Sequence, residues 1–360
     1  MNRKNFAFVA RCSAAFAVTL GILVSSAASA QSIPRRVALL VGVGEYMDTN
    51  IPQLEGPPHD VEAMRDVLVR RWGFLPKDIK TLVNREATRA NILSELSALS
   101  RRSSAGDEVL VFFSGHGTSS LDALSGLPLP HGSGAFVPSD FKRVEGASSS
   151  GLIVGRTDLV PIYTALEAGG RRIWAISDSC YSGQQVRSVQ LVKTATLPQR
   201  MIPLLAGKDA REQGADMALI AQAPKPEPYP YRATAYLSAS AEGERAKDIP
   251  KSMLTMVPTF DGKPHGAMTD ALLRVLEGQI PGDLDGDGML TLNEVHRATS
   301  EFMDKRAYGH TPQRLPSVEE DGQGIGNRPV LGVRGVAAPP RPDSLQPLRV
   351  SLGAVPASLA

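Results

Sequence analysis

One histidine and one cysteine sit where nucleophilic chemistry would place them. The apolar run Val109-Leu110-Val111-Phe112-Phe113 stops abruptly in Ser114-Gly115-His116-Gly117-Thr118. A second run, Ile173-Trp174-Ala175-Ile176, stops likewise in Ser177-Asp178-Ser179-Cys180-Tyr181-Ser182-Gly183. A thiol with a pKa of about 8.5 is mostly protonated near neutrality, and a neighbouring imidazolium stabilises the thiolate. The same ring can return a proton to a leaving amine. Glycines on both sides of His116 give its backbone freedom, and small residues near both positions leave N–H groups available to an oxyanion. On the residues alone the bland alternatives stay open. Free cysteine is among the most buried residue types, and a histidine between glycines also suits a turn at a strand edge.

The rest of the chain narrows the choice. Arg3, Lys4 and Arg11 precede an apolar run, Cys12 to Val24, and a small-residue segment ending at Ala30. This is the pattern of a cleaved export signal, with Gln31 as the new N-terminus. The run is shorter than the about 20 residues a membrane span needs. Losing the three basic leader residues moves the formal charge from +2 to −1, which argues against nucleic acid or an anionic membrane as partner. It also removes Cys12, so Cys180 becomes the single cysteine of the exported chain. Exported proteins commonly pair their cysteines, and an unpaired one is flagged as reactive or intermolecular.

The elements that must position these residues alternate in type. Strands are expected over 36–43, 79–83, 108–113, 172–177 and 236–240. Helices are expected over 59–72, 88–100, 158–168 and 267–276. Continuous apolar strands between amphipathic helices predict an α/β fold, with a mostly parallel central sheet and helices on both faces. His116 and Cys180 then follow two buried strands and project from one sheet edge, where such folds bind ligands. Gly42-Val43-Gly44 lacks the third glycine of a dinucleotide fingerprint, Met47 standing there, so no organic cofactor is expected. Residues 184–232 have weak periodicity and the passage Pro224-Lys225-Pro226-Glu227-Pro228. Residues 311–360 are expected as a Pro-rich C-terminal segment and tail.

The ordered blocks resemble caspase-fold cysteine peptidases, in particular metacaspases and their prokaryotic orthocaspase relatives. Besides the two blocks above, Ala38-Leu39-Leu40-Val41-Gly42-Val43-Gly44 is similar to the family's first strand. Leu54 to Met64 is similar to its acidic segment, and Val137-Pro138-Ser139-Asp140 and Leu237-Ser238-Ala239-Ser240 have counterparts too. The resemblance spans about residues 35–310, within a peptidase domain expected over 31–310. It implies Cys180 as nucleophile, His116 as its partner, and Gly117 with the Cys180 backbone as oxyanion hole. It also implies Asp60 and Asp178 at the floor of a pocket selecting Arg or Lys before the scissile bond. Desolvated carboxylates suit such a cation, and a guanidinium can pair with them through two hydrogen bonds. Without the resemblance, Asp60 reads as a helix N-cap and Asp178 as a turn former. Tyr181 stands where metacaspases usually have His, and His59 where they usually have Asn. The resemblance further implies self-cleavage in 184–232, at sites such as Arg187, Lys193, Arg200, Lys208 or Arg211, and a monomer.

Asp283 to Glu294 fits a twelve-residue EF-hand loop: Asp283, Asp285 and Asp287 at positions 1, 3 and 5, Gly288 at 6, and Glu294 at 12. Met289 would add its carbonyl and Thr291 an oxygen, with calcium as the expected ion. A second calcium site of metacaspases, near the active-site loops, is matched by Asp140 and Asp158, but Arg187 stands at another of its acidic positions. One cysteine and scattered histidines offer no zinc spacing.

The sequence therefore predicts an exported, periplasmic or secreted cysteine endopeptidase acting on proteins or peptides with a basic P1 residue. The alternatives are a catalytically silent caspase-fold module that binds protein partners, and a calcium-responsive binding protein built around the 283–294 loop.

Overall fold

The structure is a computed structural model that describes residues 34–119, 133–142, 151–180, 229–241 and 244–332. The leader, residues 184–228 with their five basic candidate sites, Tyr181, and the tail from 333 lie outside the described residues.

The central sheet has six strands in the order β12-β8-β7-β3-β1-β2. These are β1 (Arg36–Gly42), β2 (Ile79–Val83), β3 (Glu108–Ser114), β7 (Arg172–Asp178), β8 (Thr234–Ser238) and β12 (Gln313–Leu315). All neighbours are parallel except β12, which runs antiparallel to β8 at the edge. A small antiparallel sheet of β4 (Gly117–Ser119), β5 (Gly134–Phe136) and β6 (Ile153–Val154) continues directly from the end of β3, and β9 (Asp248–Ile249) pairs antiparallel with β10 (His265–Gly266).

Strand alternation sorts the core onto two faces. Ala38, Leu40, Leu110, Phe112, Trp174, Ile176 and Leu237 point to one face. There they meet α1 (Gly56–Arg70), α4 (Ala267–Leu276) and α5 (Leu292–Lys305). Val37, Leu39, Val41, Val109, Val111, Phe113 and Ala175 point to the other, against α2 (Arg89–Arg102) and α3 (Val160–Ala168). Each fully buried Leu, Val or Phe contributes about 1.5–3 kcal/mol, which is why the two helix layers hold the sheet.

Local chemistry sets the helix ends. Pro57 and Pro58 open α1, where an N–H is dispensable. Thr88 caps α2 by accepting from Asn91 N, and Arg101 and Arg102 close it. Thr291 and Glu294 form a capping box at α5. Helix α4 has no side-chain cap of its own, Gly266 standing at its N-cap. Its orphan amides are met from elsewhere in the fold, as described below.

Expectation and structure differ at the C-terminal side. Residues 311–332 were expected with the tail, yet β12 completes the central sheet and β13 (Pro329–Gly332) pairs with β11 (Met289–Thr291). The prolines that suggest a tail flank these short strands or sit at an edge, where a missing N–H costs nothing. The helix expected from 158 starts at Val160, after a π-turn over Gly155–Leu159. Among the described residues, no helix is long and apolar enough to cross a membrane.

Candidate active site

Strands β3 and β7 lie side by side in register, so that Ser114 pairs with Asp178 at their carboxyl ends. Beyond that edge the two chain segments stay in contact. Gly115 N donates to Asp178 O at 3.2 Å. Gly115 has φ +155°, a conformation that favours glycine. A Cβ on Gly117 would overlap the Cys180 carbonyl oxygen, so only glycine lets the histidine segment pass this close to the cysteine. The expected convergence of the two blocks at one sheet edge is what the structure has.

His116 is fully buried and held on three sides. Its backbone N–H donates to Tyr46 Oη at 2.9 Å, and Tyr46 Oη donates to Val43 O at 3.1 Å. Its backbone carbonyl accepts from Val137 N, and its ring lies 5.1 Å from that of Tyr46. Nε2 is 2.8 Å from the carbonyl of Pro52. A carbonyl only accepts, so Nε2 carries the proton and Nδ1 is the basic nitrogen of the neutral ring. Neither Tyr46 nor Pro52 was expected from the sequence. A tyrosine three residues past a strand gives weak notice of its role, and a backbone carbonyl gives none.

Cys180 is also fully buried, on the α1/α4 side of the sheet, with Sγ 3.8 Å from the carbonyl of Ala246. The next residue, Lys247, is buried as well. Burial pulls the Lys247 ammonium below its ordinary pKa, and the charge of Cys180 acts in the opposite sense, which places the two groups within electrostatic reach.

Asp60 and Asp178 are both fully buried, and they converge on the N-terminus of one helix. Asp178 Oδ2 accepts from Thr269 N at 2.9 Å and Thr269 Oγ1 at 2.6 Å. Asp60 Oδ1 accepts from Gly266 N at 3.1 Å, and Oδ2 from Ser114 Oγ at 2.5 Å. The two carboxylates thus meet the orphan amides of α4 and its positive dipole end. The N-cap reading of Asp60 fails for its own helix: Glu55 occupies that place, and Asp60 lies a turn inside α1. Asp178 is the last residue of a strand, not a turn former.

His265, which sequence reasoning passed over, joins the same group. Its Nδ1 is 2.9 Å from Asp60 Oδ1 and its Nε2 2.9 Å from Asp261 Oδ1. Burial opposes its charge, but the hydrogen bonds and charges of Asp261 and Asp60 outweigh this and raise its pKa to about 9. For Asp261, burial likewise works against the charged form, and the bond from His265 with the Lys263 amide holds the carboxyl below its usual range.

In the loop over 283–294, oxygens of Asp283, Asp285 and Asp287 lie within 4.8 Å of one another, a hard-oxygen set that suits calcium. Glu294 spends Oε1 on Leu284 N and Oε2 on Thr291 N and Oγ1. Met289 and Thr291 belong to β11. At the other proposed calcium position, Asp158 is paired with Arg89 Nη2 at 3.0 Å while Asp140 accepts from Arg89 N at 2.8 Å. The Arg89 guanidinium therefore already serves Asp158, and its backbone N–H serves Asp140. The apolar groove between Phe74, Trp174, Ile325 and Arg328 lies at the opposite ends of β3 and β7 and contains none of the predicted site residues.

The sheet order, the two helix layers and the paired strand ends define a caspase-type α/β fold. The family model described as Caspase domain matches residues 35–319, and the chain belongs to that family. Among curated relatives, Metacaspase-6 of Arabidopsis thaliana is 35% identical over 152 residues, covering 41% of this chain and 38% of the relative. Metacaspase-1B of Aspergillus oryzae is 27% identical over 277 residues, covering 68% and 61%. The chain thus spans less than two thirds of the length of these relatives. A crystal structure of a Geobacter sulfurreducens protein shares the fold, with a TM-score of 0.50 at 19% identity, over 83% of this chain and all of that one.

Proposed function

We propose that the protein is a cysteine endopeptidase that cleaves after Arg or Lys. The observation that carries this reading is the close passage of Gly117 against Cys180, with His116 fixed through Nε2 on Pro52. Cys180 Sγ, as thiolate, attacks the scissile carbonyl carbon, and the carbonyl electron pair moves onto oxygen. Backbone N–H groups at Gly117 and Cys180 would stabilise that oxyanion. The tetrahedral centre collapses, the C–N bond breaks, and imidazolium His116 gives its proton to the leaving amine. Water then attacks the thioester, His116 takes a water proton through Nδ1, and the acid product leaves.

Asp178 and Asp60 supply the negative floor for a basic P1 side chain. Export, monomeric state and self-cleavage within 184–232 belong to the same reading. Asp283, Asp285 and Asp287 would hold calcium, whose role there is to rigidify the loop ahead of α5. The experiment is cleavage of matched Arg-P1, Lys-P1 and Asp-P1 peptides by the unmodified protein and by Cys180→Ala, with calcium and with chelator. Cleavage of basic-P1 peptides that disappears in Cys180→Ala supports the reading, and equal rates on Asp-P1 and Arg-P1 would sink the pocket assignment.

A further inference from the structure

Lys247 is a lysine in a place that penalises one: only 2% of it is exposed. The backbone around it is pinned. Its own carbonyl accepts from Ala267 N in the first turn of α4. The next residue, Asp248, opens β9 and accepts from Glu55 N and Gly56 N at the start of α1. Among the described residues, no acceptor hydrogen-bonds the Lys247 ammonium and no carboxylate lies within ion-pair distance of it. An ammonium taken out of water in this way is strongly disfavoured unless an anion forms beside it. Cys180 Sγ is 3.8 Å from the carbonyl oxygen of Ala246, the residue before. A peptide oxygen is about 2.8 Å from the next Cα, so Lys247 Cα lies within about 7 Å of the sulfur, inside the reach of its own side chain. Burial lowers the pKa of Lys247, and the charges acting on it are those of Cys180, at the end of β7, and of Arg245 and Glu244 in its own segment. Arg245 repels it, and Glu244 spends its carboxylate on the amides of Ala241 and Thr311. The sulfur is the anion placed to balance it.

We propose that Lys247 is a second cation of the catalytic centre, whose buried ammonium holds Cys180 as the thiolate before any substrate arrives and whatever the protonation state of His116. This rests on the cysteine-peptidase reading given above. In the resting protein the S–H bond breaks, its proton goes to solvent, and the electron pair stays on sulfur beside the ammonium. Acylation turns the sulfur into a neutral thioester and leaves Lys247 unbalanced again. That imbalance favours departure of the thiolate when water releases the acid product.

The test is the rate of Cys180 alkylation by iodoacetamide from pH 5 to 10, which follows the thiolate fraction and needs no peptide turnover. The unmodified protein is expected to reach half its limiting rate well below pH 8.5, the ordinary thiol value of about that figure. Lys247→Met keeps the length and apolar stem of the side chain. It is expected to react about tenfold or more slowly at pH 6, because an opposite charge within about 4–6 Å lowers a pKa by about 1–3. At pH 10 it is expected to react at least as fast, since a less acidic thiolate is the better nucleophile. Lys247→Arg keeps the cation and is expected to restore most of the rate at pH 6. A midpoint at or above that of an ordinary thiol in the unmodified protein overturns the proposal, whether or not the variants fold. A Lys247→Met rate equal to that of the unmodified protein at pH 6 also overturns it. So does a rate lowered by the same factor at every pH, the mark of a merely structural role. Peptide cleavage separates this from the peptidase reading. If no peptide is cleaved while alkylation responds as described, the peptidase reading fails and the role of Lys247 stands. If Cys180-dependent cleavage occurs while alkylation ignores Lys247, the reverse holds.

Discussion

Asp60 and Asp178 are fully buried, whereas of the loop carboxylates Asp285 is exposed and Asp283 and Asp287 are part-exposed. The donors that hold the buried pair come from far along the chain: His265 lies 205 residues from Asp60, and Thr269 lies 91 from Asp178. The donors that hold the loop are its own amides. Gly286 N and Gly288 N reach Asp283, and Met289 N reaches Asp287. The difference teaches what each cluster can do. Carboxylates fixed by the tertiary fold in a dry site interact strongly with one correctly placed cation. Carboxylates on a solvated loop need a divalent ion to add much, and their loss is felt locally.

The largest effect should come from breaking the buried cluster. Asp178→Asn keeps an acceptor for Thr269 but removes the charge, and removing one partner of a buried charge contact costs about 2–5 kcal/mol. We expect kcat/KM on Arg-P1 peptides to fall on the order of a hundredfold or more by that figure, with the alkylation rate of Cys180 nearly unchanged. A matching loss of thiol reactivity would move Asp178 from the pocket to the dyad.

Stability against pH separates the clusters next. The His265 pKa is raised from 6.5 to about 9 in the folded protein. Its stabilisation is therefore fully present below pH 6.5 and is lost as pH rises through about 9. The shift corresponds to roughly 3 kcal/mol, readable as a drop in urea midpoint between pH 6 and pH 10. His265→Gln should be less stable at pH 6 and lack that component of the drop. An identical pH dependence in the variant would remove His265 as its source.

Smaller still is the support of the histidine. Tyr46→Phe removes the acceptor for His116 N and should cost about 1–2 kcal/mol in stability while lowering kcat more than it raises KM. An unchanged kcat would show that Pro52 alone orients the ring. The weakest effect belongs to the loop: calcium at a few times its dissociation constant should stabilise by about 1 kcal/mol, and Asp283→Ala should abolish that gain. A thermal midpoint indifferent to calcium would leave the loop as a capped turn.

How much of this was legible in the sequence follows the same division. The loop was read from one segment because its geometry is local. The convergence of the His116 and Cys180 segments was read because two apolar strands end abruptly just before them, and parallel topology puts both ends on one edge. Asp60 was harder: its place near the start of a helix suggested a cap, but it serves another helix, α4, across the fold. His265 and Pro52 were missed for physical reasons. A histidine before a helix looks ordinary until Asp60 is placed beside it, and every residue except its own donor looks the same to a carbonyl. The folded strands beyond residue 310 were missed because their short length and flanking prolines resemble a tail.

The most direct measurement is kcat/KM of the purified protein and of Cys180→Ala on peptides that differ only at P1. The account predicts cleavage after Arg and Lys, little after Asp, and none in Cys180→Ala. Absence of any Cys180-dependent cleavage, with calcium or with chelator, would contradict it.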